Sequence, residues 1–217
     1  MDDREVGRRL RMNRSRGLLI VLEGIDGTGK TTLSTALARA LEARGYSVQQ
    51  SAEPTDGPHG QEIRRRAARG DRPGLQEELE LFIADRRDHV ERLIKPALAS
   101  GCVVVLDRYY YSTMAYQGAR GADAANIERR QLAFAPPPEM LVILDLPVEA
   151  ALERVMRSRG SIPDEYERAD VLKRVRQLYL GFDHPNRLVI DARRPTEEQV
   201  ERILEVFDRI AASRSLT

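Results

Sequence analysis

Short unbroken apolar runs alternate along this chain with longer segments in which apolar residues recur every three or four positions. The first run, GLLIVLEG at 17–24, is β-rich and closes on glycine, as a buried strand does. Residues 30–44 (KTTLSTALARALEAR) carry helical spacing and stop at Gly45. A weaker strand, YSVQQSA, ends before Glu53 and Pro54; after the turn TDGPHG come a short Arg-rich helix and a long one over 75–99. The second strong strand is CVVVLD, followed by the polar-aromatic stretch RYYYSTMAYQG and a short helix around 124–133. Pro136, Pro137 and Pro138 form a loop into a third strand, MLVILDL, and Pro147 opens a helix where its missing N–H costs nothing. The period breaks over 157–163, with Gly160 and Pro163; a helix at 164–181, the strand RLVID and a last helix from near Thr196 complete the pattern.

Strands alternating with helices predict an α/β fold with a mainly parallel five-stranded sheet in an α/β/α sandwich. Such sheets bind ligands beyond the carboxyl ends of their strands, and the chemically suggestive residues follow Glu23, Ser51, Leu106 and Ile190. The expected organisation is a flexible tail over 1–16 and a single domain over 17–217. Within that domain a mobile lid is expected at about 157–165.

At 217 residues the chain can bury roughly 70% of the surface its unfolded form exposes. Its formal net charge of +1 gives no general attraction to nucleic acid. The Arg64–Arg66 run reads as a solvated face. No apolar run approaches the length of a membrane helix, and residues 1–16 lack the apolar stretch of a secretory signal, so a cytoplasmic protein is expected. The single Cys102 opens an apolar run and reads as a buried thiol; His59, His89 and His184 lack metal-ligand spacing. Only Lys30, Lys95 and Lys173 are lysines, and Lys30 sits in the most telling motif of the chain.

That motif is Gly24-Ile25-Asp26-Gly27-Thr28-Gly29-Lys30-Thr31, a full G-x-x-x-x-G-K-[ST] with a strand before it and a helix after. Its glycines let successive N–H groups curl around one anion, and the helix adds its positive end. Lys30 can reach the outer phosphates and the Thr31 hydroxyl can coordinate Mg²⁺, and residues Gly24 through Thr32 are expected to bind the nucleotide. No N-K-x-D base reader appears and the chain is short for a motor, so a kinase of a small molecule or nucleotide leads.

Five segments in order, VLEGIDGTGKTT, EPTDGPHGQEIRR, LFIADRRDHV, DRYYYSTMAYQG and a late VIDA, resemble the thymidylate kinase family from about residue 17 to the C-terminus. EPTDGP departs from the E-P-G-G wording common in bacterial members. The resemblance implies ATP as phosphoryl donor, Mg²⁺, dTMP as acceptor, dTDP and ADP as products, and a homodimer. It also implies that Asp26 holds the 3′-hydroxyl, Phe82 stacks on thymine, Arg86 bonds its O4, and Arg108 grips the acceptor phosphate. Ser112 and Gln117 would approach the base, Tyr116 would crowd the 2′-position, and Asp107 would lie near Mg²⁺. Phe82 and Arg86 are four apart, on one helix face. Unaided by the resemblance, Phe82 reads as core and Glu53 as a loop cap or a partner of Mg²⁺-bound water or Arg108.

An acceptor that is already an anionic phosphate needs no general base, only alignment and charge neutralisation. Family members also place an arginine over the transferring group. Position 27 is glycine, so the lid should supply it: Arg159 first, then Arg157, although the D-R-F-E wording of many lid-arginine enzymes reads Asp164-Glu165-Tyr166-Glu167. The competing readings are a kinase of another (deoxy)nucleoside monophosphate and a non-catalytic nucleotide-binding regulator.

Overall fold

The computed structural model describes residues 17–71, 73–159 and 169–214. The expected tail at 1–16 and most of the expected lid lie outside the described residues. In chain order the elements are β1 (Leu18–Glu23), α1 (Lys30–Ala43), β2 (Val48–Ala52), α2 (Pro58–Arg69) and α3 (Leu75–His89). A π-helical turn (Val90–Ile94) leads into α4 (Lys95–Ala99), β3 (Val103–Asp107), α5 (Tyr110–Ala119), α6 (Ala124–Leu132) and β4 (Met140–Asp145). Then follow α7 (Val148–Arg159), α8 (Ala169–Gly181), β5 (Arg187–Asp191) and α9 (Thr196–Arg214).

The sheet order is β2-β3-β1-β4-β5 with each neighbouring pair parallel, in a three-layer α/β/α arrangement. Helices α1 and α9 pack together, while α3, α5, α6, α7 and α8 form a separate set of helix contacts, as right-handed crossovers require. Burial explains why some strands read more strongly than others. The central strands β1 and β3 are buried at every position, so they are continuous Leu/Ile/Val runs. The edge strands β2 and β5 are mostly half-buried or exposed and carry Gln, Ser and Arg.

One segment without an expected element acquires one, and two expectations are corrected. The stretch after Arg108 is helical over Tyr110–Ala119, although three tyrosines disfavour helix locally. Tyr109, Tyr110 and Tyr111 are buried and stacked in tilted pairs, so packing overrides propensity. Helix α7 continues through Arg159, so residues 157–159 are helical rather than loop. Cys102 is half-buried and precedes β3, with its Sγ 3.3 Å from Ser100 Oγ. No helix of the described residues is long and apolar enough to cross a membrane.

Candidate active site

The register of the central strands builds the site. Leu22 pairs with Asp107, and Ala52 pairs with the same residue from the other side. This brings Glu23–Gly24, Glu53 and Arg108 to one carboxyl edge. Most buried charges of the described chain gather there: Glu23, Lys30, Glu53, Asp85, Arg86, His89 and Asp107. Buried charge is costly unless it is paired or awaits a partner.

The loop after β1 has glycines with left-handed or extended positive φ at 24, 27 and 29. A Cβ at Gly24 would meet the Leu144 carbonyl oxygen at 2.6 Å, and one at Gly27 would overlap the Ala151 carbonyl, so only glycine fits the curl. Helix α1 has no side-chain cap, which leaves its first N–H groups for an anion. Lys30 is buried and donates to the carbonyls of Gly24 (3.0 Å) and Ile25 (2.9 Å). Burial, with the Arg108 charge added to it, pushes the Lys30 ammonium down to about 8 despite the pull of Asp26, Asp107 and Glu23. Thr31 Oγ1 donates to Asp107 Oδ2 at 2.6 Å.

Beyond β3 the chain turns sharply. Arg108 has φ 72°, the one left-handed non-glycine among the described residues, and its N–H donates to Leu22 O at 2.9 Å. Its guanidinium donates to the Asp26 carboxylate, to Ser112 Oγ (3.0 Å) and to Gly24 O (3.4 Å), and lies 5.5 Å from the Tyr116 ring centroid. Glu23, wholly buried, ties this turn down. It accepts from Tyr109 N (2.8 Å), Ser112 N (3.1 Å), Ser112 Oγ (2.7 Å) and Tyr179 OH (3.1 Å). Burial pushes the Glu23 carboxyl up, and the Ser112 hydrogen bond and the Arg108 charge pull it back.

The third part of the site lies on α3. Phe82 is half-buried and stands outside the buried core, whereas Arg86 is 1% exposed. Arg86 donates from Nε to Glu53 Oε2 (2.8 Å) and from Nη2 to Thr113 Oγ1 (3.2 Å). Its Nη1 is buried without a hydrogen-bond partner. Glu53 therefore pairs with Arg86 and His89, not with Arg108 or the loop. Two residues expected near the base are held elsewhere. Gln117 Nε2 donates to Glu78 at 2.9 Å, and the Ser112 hydroxyl serves Glu23, Arg108 and Tyr179.

Among the helix α7 arginines, Arg154 donates from both Nη atoms to Ala192 O at 3.1 Å, Arg157 is exposed, and Arg159 closes the helix. Sequence reasoning missed Glu23, Thr113, His89 and Tyr179. A carboxylate ending an otherwise apolar strand signalled Glu23; nothing local distinguished Tyr179 from an ordinary amphipathic-helix residue.

A parallel sheet between two helix layers, with this loop at its carboxyl edge and the half-buried Arg108 beside it, fits a P-loop kinase of nucleoside monophosphates. The family model for thymidylate kinase matches residues 22–203. The thymidylate kinase of Xanthomonas euvesicatoria pv. vesicatoria is 49% identical over 176 residues, covering 81% of this chain and 76% of that protein. That of Desulfotalea psychrophila is 44% identical over 174 residues, covering 80% and 86%. The chain belongs to the thymidylate kinase family, enzymes that carry the terminal phosphoryl group of ATP to dTMP.

Proposed function

We propose that this chain binds ATP on the 24–32 loop and transfers its terminal phosphoryl group to dTMP held by Arg108, releasing ADP and dTDP. The observation that carries the reading is the Gly24 carbonyl oxygen, which accepts from both Lys30 Nζ (3.0 Å) and Arg108 Nη1 (3.4 Å). The cation of the donor side and the cation of the acceptor side thus meet at one atom. Two phosphates neutralised there would face each other end to end.

In the transfer, an oxygen of the dTMP phosphate forms a bond to the terminal phosphorus as the bond to the bridging oxygen breaks. The electron pair leaves with ADP. The nucleophile is already anionic, so the chain supplies position and charge rather than a base. Lys30 and the loop amides hold the donor oxygens, and Arg108 aligns the acceptor. Its strained backbone is fixed by Leu22 and Glu23, so little reorganisation is left for the reaction itself.

Thr31 and Asp107 would hold Mg²⁺. A hydroxyl and a carboxylate converge at 2.6 Å, and the other Asp107 oxygen is buried without a partner. Such a sparse oxygen set suits an ion that keeps waters and substrate phosphates as its remaining ligands. When bound, the ion neutralises phosphate charge. No group of three or more His, Cys, Asp or Glu that could hold a metal occurs among the described residues, so the substrate would complete the coordination.

On the acceptor side, Phe82 stacks on thymine, Arg86 Nη1 donates to its O4, and Asp26 exchanges part of its Arg108 contact for the 3′-hydroxyl. Tyr116, beneath Arg108, crowds the 2′-position. Ser112 acts through Arg108, and Gln117 would reach the base only by leaving Glu78. Arg159, then Arg157, covers the transferring group, since Arg154 is committed to Ala192. A homodimer is proposed on the family resemblance alone, and light scattering tests it.

The deciding measurement is ADP formation from ATP with dTMP, dUMP, dGMP and UMP side by side, with Arg108→Ala alongside. dTMP is expected to be turned over fastest, and Arg108→Ala to lose about 10²-fold or more in kcat/KM for it. No ADP above background with dTMP would sink the reading.

A further inference from the structure

Behind Arg86 runs a buried chain of side chains that touches neither phosphate site. Glu53 Oε2 accepts from Arg86 Nε at 2.8 Å and lies 2.6 Å from Nη2 as an ion pair, and Glu53 Oε1 lies 3.0 Å from His89 Nδ1. His89 Nε2 lies 2.8 Å from Ser51 Oγ. Arg86, His89 and Glu53 are 1%, 5% and 6% exposed. A carboxylate can only accept, so Nδ1 carries the proton toward Glu53, and in the neutral ring Nε2 accepts from the Ser51 hydroxyl. The linkage order is that of a nucleophilic triad. Here, however, the carboxylate is committed to a guanidinium, so the chain ends in a cation.

The consequence is a count of donors. Arg86 has five N–H groups in a rigid fork. Glu53 takes those on one edge, Thr113 Oγ1 takes another at 3.2 Å, and the Nη1 pair stays buried with no acceptor. The Tyr109 ring, its centroid 5.4 Å from the guanidinium carbon, packs beside the head. A buried donor left unpaired is costly and calls for an acceptor from outside the chain.

We propose that Glu53, His89 and Ser51 are positioning residues for base selection: by fixing Arg86 with only Nη1 free, they require an oxo group, not an amino group, at position 4 of the pyrimidine. Thymine and uracil present that acceptor; cytosine presents a donor to a donor. The inference rests on the dTMP reading above and adds that a buried relay, out of contact with the nucleotide, sets the choice. Asn in place of His89 puts an amide N–H where Nδ1–H stands, whereas Leu fills the volume without a donor.

The test compares the full-length wild type with His89→Asn, His89→Leu, Glu53→Gln and Ser51→Ala. It measures kcat and KM for dTMP and for dCMP at saturating ATP, with thermal melting of each protein. His89→Asn is expected to keep the dTMP KM within about threefold of wild type, and Ser51→Ala to raise it about threefold. His89→Leu and Glu53→Gln should raise it about tenfold or more with kcat within about threefold, and cut the dTMP-over-dCMP preference about tenfold. Should one of these two fail to fold, the other with Ser51→Ala decides. Variants that melt earlier yet keep the wild-type KM and preference would show a merely structural chain and overturn the inference alone. A wild type inactive on dTMP would overturn the underlying reading, and this inference with it.

Discussion

Thr31 Oγ1 donates to Asp107 Oδ2 at 2.6 Å, joining the first turn of α1 to the end of β3, while Asp107 Oδ1 is buried with no partner. Two oxygens from separate elements are thus held together beside the phosphate loop. Asp107→Asn keeps the shape but removes the charge, and should lower turnover about 10–100-fold and raise the Mg²⁺ concentration needed for half-maximal rate. A Mg²⁺ titration of ADP formation reads both; an unmoved midpoint would remove Asp107 from the metal site.

Lys30 is deprotonated more easily than an ordinary lysine, chiefly because it is buried and secondarily because Arg108 is near, which brings it to about 8. Its charge is present below that pH and lost above it. In the free enzyme, kcat/KM for ATP should therefore fall as pH rises through about 8, by up to about tenfold per unit. Lys30→Arg should abolish this alkaline limb while lowering the plateau. A wild-type profile flat to pH 10 would show that Lys30 keeps its proton throughout.

Glu23 holds the Arg108 turn through four hydrogen bonds from Tyr109, Ser112 and Tyr179. Glu23→Ala strands those donors in the core and should cost about 3 kcal/mol or more. That corresponds to a fall in Tm of about 6–12 °C. The dTMP KM should rise in the same variant, because Arg108 loses the carboxylate that seats its loop. A melting curve and a dTMP saturation curve together check this, and a variant with normal Tm and normal KM would contradict the role given to Glu23.

Phe82 is half-buried and outside the core, so truncating it should spare the fold. Phe82→Ala is expected to weaken dTMP binding by roughly 1–3 kcal/mol, the range for a base stacked on an aromatic ring. Calorimetry with dTMP measures it directly. If affinity holds while Tm drops, Phe82 packs the protein and does not stack on the base.

Arg159→Ala should reduce turnover about 10³-fold with dTMP affinity almost unchanged, as for an arginine that acts only on the transferring group. The same substitution at Arg157 should cost less. Equal turnover in Arg159→Ala and wild type would pass the role to Arg157 or remove it from α7.

The loop from Gly24 to Thr31 was readable because its chemistry is local: a curl of glycines, a lysine and a hydroxyl, flanked by a strand and a helix within one stretch of chain. Phe82 and Arg86 were singled out by the family resemblance, helical spacing adding only that they share a face, and neither disclosed what stands behind them. Glu53 reaches Arg86 across 33 positions and His89 across 36, so no local pattern could disclose that it holds both. Helix α5 was missed for a related reason, since its tyrosines are helical through burial against the rest of the fold and not by propensity.

What the sequence determined by itself is the alternation of buried strands with amphipathic helices, and with it a parallel sheet and a phosphate loop at its carboxyl edge. Hydrophobic periodicity and glycine chemistry act over a few residues and are written locally. The tertiary structure alone decided which charges share a partner: Lys30 with Arg108 at the Gly24 carbonyl, Glu23 with Tyr179, Arg86 with Glu53 and His89. Buried charges choose partners by distance in space and by what water is excluded, and strand register, not sequence separation, sets both.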